Sequence, residues 1–167
     1  MGILCKVVDA LLLVVFVVML LLGPLIDAQT VLPESSFPDV LIRLKQSYAN
    51  EYQDYLMVEK PQFFVALVWL ELVFQWPLVV LNIYGILASK PWFNTTCLIY
   101  GASVITSMAA ILGELLGSQK ATDKLLMMYT PFMGVGVLAL LRGLVPQSGR
   151  ASSSIGKRPA LARKKRA

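Results

Sequence analysis

A carboxylate and a carboxamide stand four residues apart inside an otherwise apolar run, in Trp69-Leu70-Glu71-Leu72-Val73-Phe74-Gln75-Trp76-Pro77. On a helix, residues i and i+4 share a face, so Glu71 and Gln75 point the same way. An ionisable group within a membrane span costs about 2.5–3.5 kcal/mol on insertion scales and normally faces a bundle interior or a cavity. Pro77 lacks a backbone N–H, and a bend is expected there that opens space between helices. The pair suits either of two roles. It could be interhelical glue, with Glu71 protonated and Gln75 bonding a neighbouring backbone. It could instead be the polar part of an internal binding site.

Asp27, just past Gly23-Pro24, is a second acid. By itself it reads as an interfacial residue or a cap. Glu71 lies about eight residues into its own apolar run from the same side, about 12 Å by helical rise. The two therefore meet only if the first span ends early, at Gly23-Pro24, or the second projects above the membrane. Within hydrogen-bond reach they would hold one proton between them and leave one net negative charge. Such a charge in an apolar, aromatic-lined cavity is a receptor for an amine or another cation. Asp54, within Asn50–Pro61, reads from its surroundings as a solvated loop charge, and Glu114 as an interfacial one. Histidine is absent, which removes the usual general base near neutral pH and the commonest metal ligand. Two cysteines, Cys5 and Cys97, define no disulfide framework.

The elements that must position these groups are apolar helices. The chain has 167 residues, 57% of them hydrophobic, more than a soluble domain of this size can bury. Four stretches, Val7–Ile26, Phe63–Ala88, Thr96–Leu116 and Leu125–Val145, are each long enough to cross about 30 Å of hydrocarbon as a helix. No alternating pattern of a barrel is present. The expected fold is all-α, a four-transmembrane-helix bundle over residues 1–145 with a long luminal loop between helices 1 and 2. A disordered basic tail, 146–167, follows. The first stretch resembles a signal peptide in its Lys6 flank, but its apolar core exceeds the usual 7–15 residues of such a segment, which favours a retained span.

Eight of the fifteen Lys and Arg lie from Arg142 onward, with no acid among them. By the positive-inside rule the tail is cytoplasmic, and an even number of spans puts the N-terminus beside it. Ala28–Gln62, with five acids against three basic residues, then faces a lumen. Asn94-Thr95-Thr96 matches a glycosylation acceptor but falls on the cytoplasmic side, where no glycan is added. The terminal Arg163–Arg166 run could bind anionic headgroups. It lacks the interleaved aromatics of a nucleic-acid arm. Lys164 and Lys165 also stand where a dilysine endoplasmic reticulum retrieval signal would, the reading preferred here.

Four segments together carry a resemblance: PLIDAQTVLP (Pro24–Pro33), ANEYQDYLM (Ala49–Met57), ELVFQWP (Glu71–Pro77) and MYTPF (Met128–Phe132). In that order they resemble the sigma-2 receptor (transmembrane protein 97) family, of the EXPERA group that also holds emopamil-binding protein, a sterol isomerase. The resemblance implies an endoplasmic reticulum bundle, often a homodimer, with a lipid-accessible pocket for sterols and cationic amphiphilic amines. It implies that Asp27 meets the amine, that Glu71 supports Asp27, and that Asp54 is mainly structural. Gln75, Ser107 and Tyr129 match further pocket positions. Phe132 stands where the family has a second tyrosine, and Met19 lies near the position of a histidine.

Two functional classes follow. One is a non-catalytic receptor for sterols or cationic amphiphiles, needing no cofactor or metal and acting with membrane lipids and other sterol-handling membrane proteins. The alternative is a sterol Δ8–Δ7 isomerase, which needs an acid and a base on opposite sides of a cationic intermediate. The isomerase branch also uses a histidine, so the receptor is preferred.

Overall fold

The computed structural model describes residues 2–145. The tail, with the proposed retrieval residues Lys164 and Lys165, lies outside the described residues. Helix α1 (Ile3–Leu25) is followed by two short 3₁₀ turns, Asp27–Thr30 and Glu34–Ser36, then α2 (Asp39–Tyr52) and α3 (Tyr55–Glu59). Helix α4 (Gln62–Leu70), a π-helical turn (Glu71–Gln75) and α5 (Trp76–Leu87) form one continuous rod. Helices α6 (Phe93–Gly117) and α7 (Asp123–Leu144) complete the bundle. No strand occurs among the described residues. Four of these helices are long and apolar enough to cross a membrane, and the protein is a multi-pass membrane protein of the all-helical class.

The span limits differ from the sequence expectation by a few residues, each for a local reason. Helix α1 begins at Ile3 rather than Val7, so it takes in Lys6, and it passes through Asp9 without a break. Asp9 accepts a bidentate pair from Arg142 of α7, at 2.5 Å from Nε and 3.1 Å from Nη2. Arg142, counted above with the basic tail, is thus buried and neutralised inside the bundle. Nor does the segment between the first two spans form one open loop. Pro38 precedes α2 in extended conformation, and Gln53 ends it in the left-handed region, at φ 53°. Asp54 then caps α3 by accepting from the backbone N–H of Leu56 and Met57.

Two prolines shape the middle of the bundle. Helix α1 does not end at Gly23-Pro24, as the first route to an Asp27–Glu71 encounter required. It runs on to Leu25 with Pro24 inside it. Proline has no N–H, so the carbonyl four residues back, on Leu20, is left without its helical donor. The Trp76 indole Nε1–H donates to that oxygen at 3.1 Å. Pro77 was expected to bend its helix. Instead the widened turn lies immediately before it, closed by the Trp76 N–H donating to the Glu71 carbonyl. A π-turn next to a proline absorbs the missing hydrogen bond without ending the rod.

The Trp76 bond gives a direct expectation. Trp76→Phe keeps the ring contact but strands the Leu20 carbonyl, and should cost about 1 kcal/mol. Thermal unfolding in detergent should register a fall of about 2–4 °C, and an unchanged midpoint would show the bond to be dispensable.

Close backbone approach holds α6 on α7. A Cβ on Gly101 would lie 2.4 Å from the Leu140 nitrogen, and one on Gly143 2.7 Å from the Asn94 carbonyl oxygen. Small residues allow this contact, and dispersion replaces the hydrophobic effect that lipid withholds. The apolar interior forms two clusters. One gathers Leu12, Phe16, Val79, Phe93 and Tyr100, and the other Leu56, Phe64, Val68, Leu115 and Leu125.

Candidate functional site

A cavity of about 320 Å³ draws its walls from both clusters and from the capping segment, residues 27–61 between α1 and α4. That volume falls in the range of pockets for small ligands, about 300–1,000 Å³. Most of its lining is apolar or aromatic, and its charged groups are Asp27 and Glu71.

Asp27 opens the 3₁₀ turn beyond α1. The turn is pinned by Gln29, which is almost fully buried. Its Nε2 donates to the Leu25 carbonyl at 2.6 Å and to the Leu41 carbonyl at 3.2 Å, so the turn is clamped between α1 and α2. The same turn packs against α4, the first part of the second span. Glu71 opens the π-turn opposite. Gly23 lets α1 approach it there, since a Cβ on Gly23 would meet the Trp76 ring at 3.3 Å and Glu71 Oε1 at 4.0 Å.

The two acids share the cavity. No hydrogen bond joins them among the described residues. The expected encounter thus takes the form of two carboxylates facing one space rather than a bonded pair. The chain beyond α1 folds back onto the second span, so the encounter does not need α1 to end at Gly23-Pro24.

Gln75 is buried and spends its amide donors on α6, reaching Ser103 Oγ at 3.0 Å and Ser107 Oγ at 3.1 Å. These partners are side-chain hydroxyls, not the backbone anticipated for an interhelical glue. Ser107, Tyr129 and Phe132 all line the cavity, as does Met19. The Tyr129 hydroxyl is directed away to Asp54 Oδ2, at 2.8 Å. Asp54 is fully buried rather than solvated. Besides Tyr129 and its two backbone donors it accepts from the Tyr48 hydroxyl at 3.3 Å. Four donors converge on a group whose ionised form only accepts. Burial and the neighbouring Asp54 push the Tyr48 phenol well above its ordinary range, so it remains a donor at any physiological pH.

Sequence reasoning missed several participants. Ser103 lies one helical turn before the expected Ser107 in an apolar span, a signal that was there to read. Tyr48 and Lys45 were hidden because α2 was taken for loop. The Asp9–Arg142 pair joins residues 133 positions apart, and no local pattern announces it. Glu114 accepts from the Tyr55 hydroxyl at 3.4 Å, outside the cavity. Asn94 is occupied by the end of α7, donating to the Val145 carbonyl and accepting from Arg142.

Comparison with known proteins places this arrangement. The model of the family described as EXPERA (EXPanded EBP superfamily) matches residues 40–143. That range holds Asp54, Glu71, Gln75, Ser107, Tyr129 and Phe132, and begins after Asp27. A Xenopus tropicalis protein named Sigma intracellular receptor 2 is 31% identical over 130 residues, covering 70% of this chain and 76% of that protein. The human protein of the same name is 35% identical over 91 residues, covering 54% of this chain and 52% of its own length. A bundle of four membrane helices, two acids facing its cavity and a family match across more than half the chain lead to one conclusion: the protein belongs to the EXPERA family.

Proposed function

We propose that the protein is a non-catalytic receptor that binds a sterol or a cationic amphiphile in the cavity beneath its capping segment. The carrying observation is that Asp27 and Glu71 face one cavity whose other walls, apart from Gln75 and Ser107, are aliphatic, aromatic and methionine side chains. An ammonium on an apolar body satisfies both features, since it neutralises buried carboxylates and fills space that water occupies poorly. Gln75, with its donors committed to Ser103 and Ser107, shapes the wall, and Phe132 closes it with a ring that offers no hydroxyl. The relatives' name supports a receptor. On this reading the capping segment faces the lumen of the endoplasmic reticulum, both termini face the cytoplasm, and homodimers and other sterol-handling membrane proteins are its partners.

The isomerase reading draws on the family's EBP superfamily description. Its chemistry needs acid and base on opposite sides of the substrate, and the histidine that the isomerase branch also uses has no counterpart in this chain. Turnover of a Δ8-sterol to its Δ7 isomer by the purified protein would reverse the choice between the two.

Asp27→Asn tests the site. It should weaken a cationic amphiphile by about 30-fold or more, since removing one partner of a buried charge pair costs about 2–5 kcal/mol. A neutral sterol should bind as before. Equal affinity of the variant and the parent for the cation would take Asp27 out of the site.

A further inference from the structure

Helix α2 lies over the cavity with Leu41, Lys45 and Tyr48 at helical spacing on one face. Leu41 receives the clamp from Gln29, and Tyr48 lines the cavity, as does the adjacent Leu44. The other charged residues of this helix, Asp39, Arg43 and Glu51, are exposed. Lys45 instead is half-buried on the inner face, and its ammonium reaches the buried Thr30 hydroxyl at 3.5 Å. Thr30 and Asp27 are the two ends of one 3₁₀ turn. In such a turn residues i and i+3 eclipse, about 6 Å apart along the axis. The turn therefore holds a cation one step from the acid that would receive a ligand's cation.

The charges facing Lys45 come from every neighbouring element: Asp27 on the first 3₁₀ turn, Glu34 on the second, Asp54 at the start of α3 and Lys60 at its end. Among the described residues Lys45 makes no ion pair with any of these acids. Its field is thus not cancelled by a bonded partner. Burial and Lys60 lower its proton affinity, while Glu34, Asp27 and Asp54 oppose that.

We infer that Lys45 is a specificity-determining residue, a built-in cation held against the Asp27 turn beside the cavity that weakens binding of positively charged ligands relative to neutral ones. The inference rests on the site reading above and deepens it. Asp27 and Glu71 alone would favour the most highly charged amine available. With Lys45 beside them the cavity favours singly charged or neutral amphiphiles, because two like charges close together in a partly desolvated site repel strongly. The wild-type cavity is then balanced between a sterol and an amine.

The test uses full-length protein in nanodiscs of phosphatidylcholine and two probes, a fluorescent long-chain trimethylammonium, whose charge does not change with pH, and cholesterol. Lys45→Met, which keeps length and removes charge, should tighten the trimethylammonium by about 3- to 10-fold at low salt and less as salt screens the effect. Lys45→Glu should tighten it further, Lys45→Arg should leave it within about twofold of the parent, and cholesterol affinity should not move. A merely structural lysine gives the opposite sign, since damage to α2 loosens both probes and arginine does not selectively restore one. Loss of trimethylammonium affinity in Lys45→Met, or no change in it while Asp27→Asn still weakens the probe, overturns the inference and leaves the site standing. Indifference of the probe to both Asp27→Asn and Lys45→Met removes the site and the inference together.

Discussion

Asp9→Ala is expected to destabilise the bundle by about 3–5 kcal/mol, the cost of leaving one charge of a buried pair without its partner. Arg142 is almost completely buried. Asp9 supplies two of its hydrogen bonds, Asn94 Oδ1 accepts another at 3.2 Å, and the guanidinium lies 5.2 Å from the centre of the Phe93 ring. Remove the aspartate and the guanidinium loses its bidentate ion pair in a span that offers it little water. The melting midpoint in detergent should fall by about 10 °C. Arg142→Met alone should be comparably harmful, because it strands Asp9. Asp9→Leu with Arg142→Met should recover most of the loss, since apolar replacement of a buried pair is often neutral or stabilising. A single-variant loss below about 1 kcal/mol would mean that the pair is solvated and does not tie α1 to α7.

Asp54→Ala should do similar damage at the other end of the bundle, at about 3 kcal/mol. It strands the Tyr48 and Tyr129 hydroxyls and the Leu56 and Met57 N–H groups at once, and hydrogen bonds to a charged acceptor contribute about 1.5–3 kcal/mol each. The loss is local as well as global. Tyr129 belongs to α7, Tyr48 to α2, and the two N–H groups to α3, so this carboxylate fastens the capping segment to the bundle. Asp54→Asn should fall between the alanine variant and the parent, because asparagine caps a helix about as well as aspartate but accepts weakly from phenols. Tyr129→Phe should be milder still, at about 1 kcal/mol. Hydrogen exchange read segment by segment is the informative measurement: residues 39–61 should lose protection in Asp54→Ala before the spans do. Uniform loss across all segments would show that Asp54 has no special hold on the cap. Because that cap carries Lys45 and Tyr48 over the cavity, ligand affinity should fall with it.

Both predictions concern acids whose roles are invisible locally. Asp9 breaks the first apolar run near its start, and nothing beside it shows that its partner, Arg142, comes from α7. Asp54 sits in a stretch rich in polar residues and reads as solvated, yet three elements close over it. Glu71 and Gln75 were legible for the opposite reason. A carboxylate in a run of Val, Leu and Phe has nowhere favourable to go except inward, so its cost in lipid announces its direction. The π-turn that carries them was not legible. Proline at 77 signals a disturbed helix, but whether the helix kinks, breaks or widens depends on what packs beside it.

Span number, helical class and the inward face of Glu71 and Gln75 follow from the sequence by itself, because transfer of backbone and charge into hydrocarbon is costly enough to leave few solutions. Tertiary structure alone decided who meets whom. It buried Arg142 on Asp9, used Trp76 to replace the donor that Pro24 lacks, folded the Asp27 turn back onto the second span, and laid Lys45 one turn from Asp27. Each of these is a contact between distant residues worth a few kcal/mol or less, and a sequence constrains such contacts only jointly, through the packing of the whole bundle.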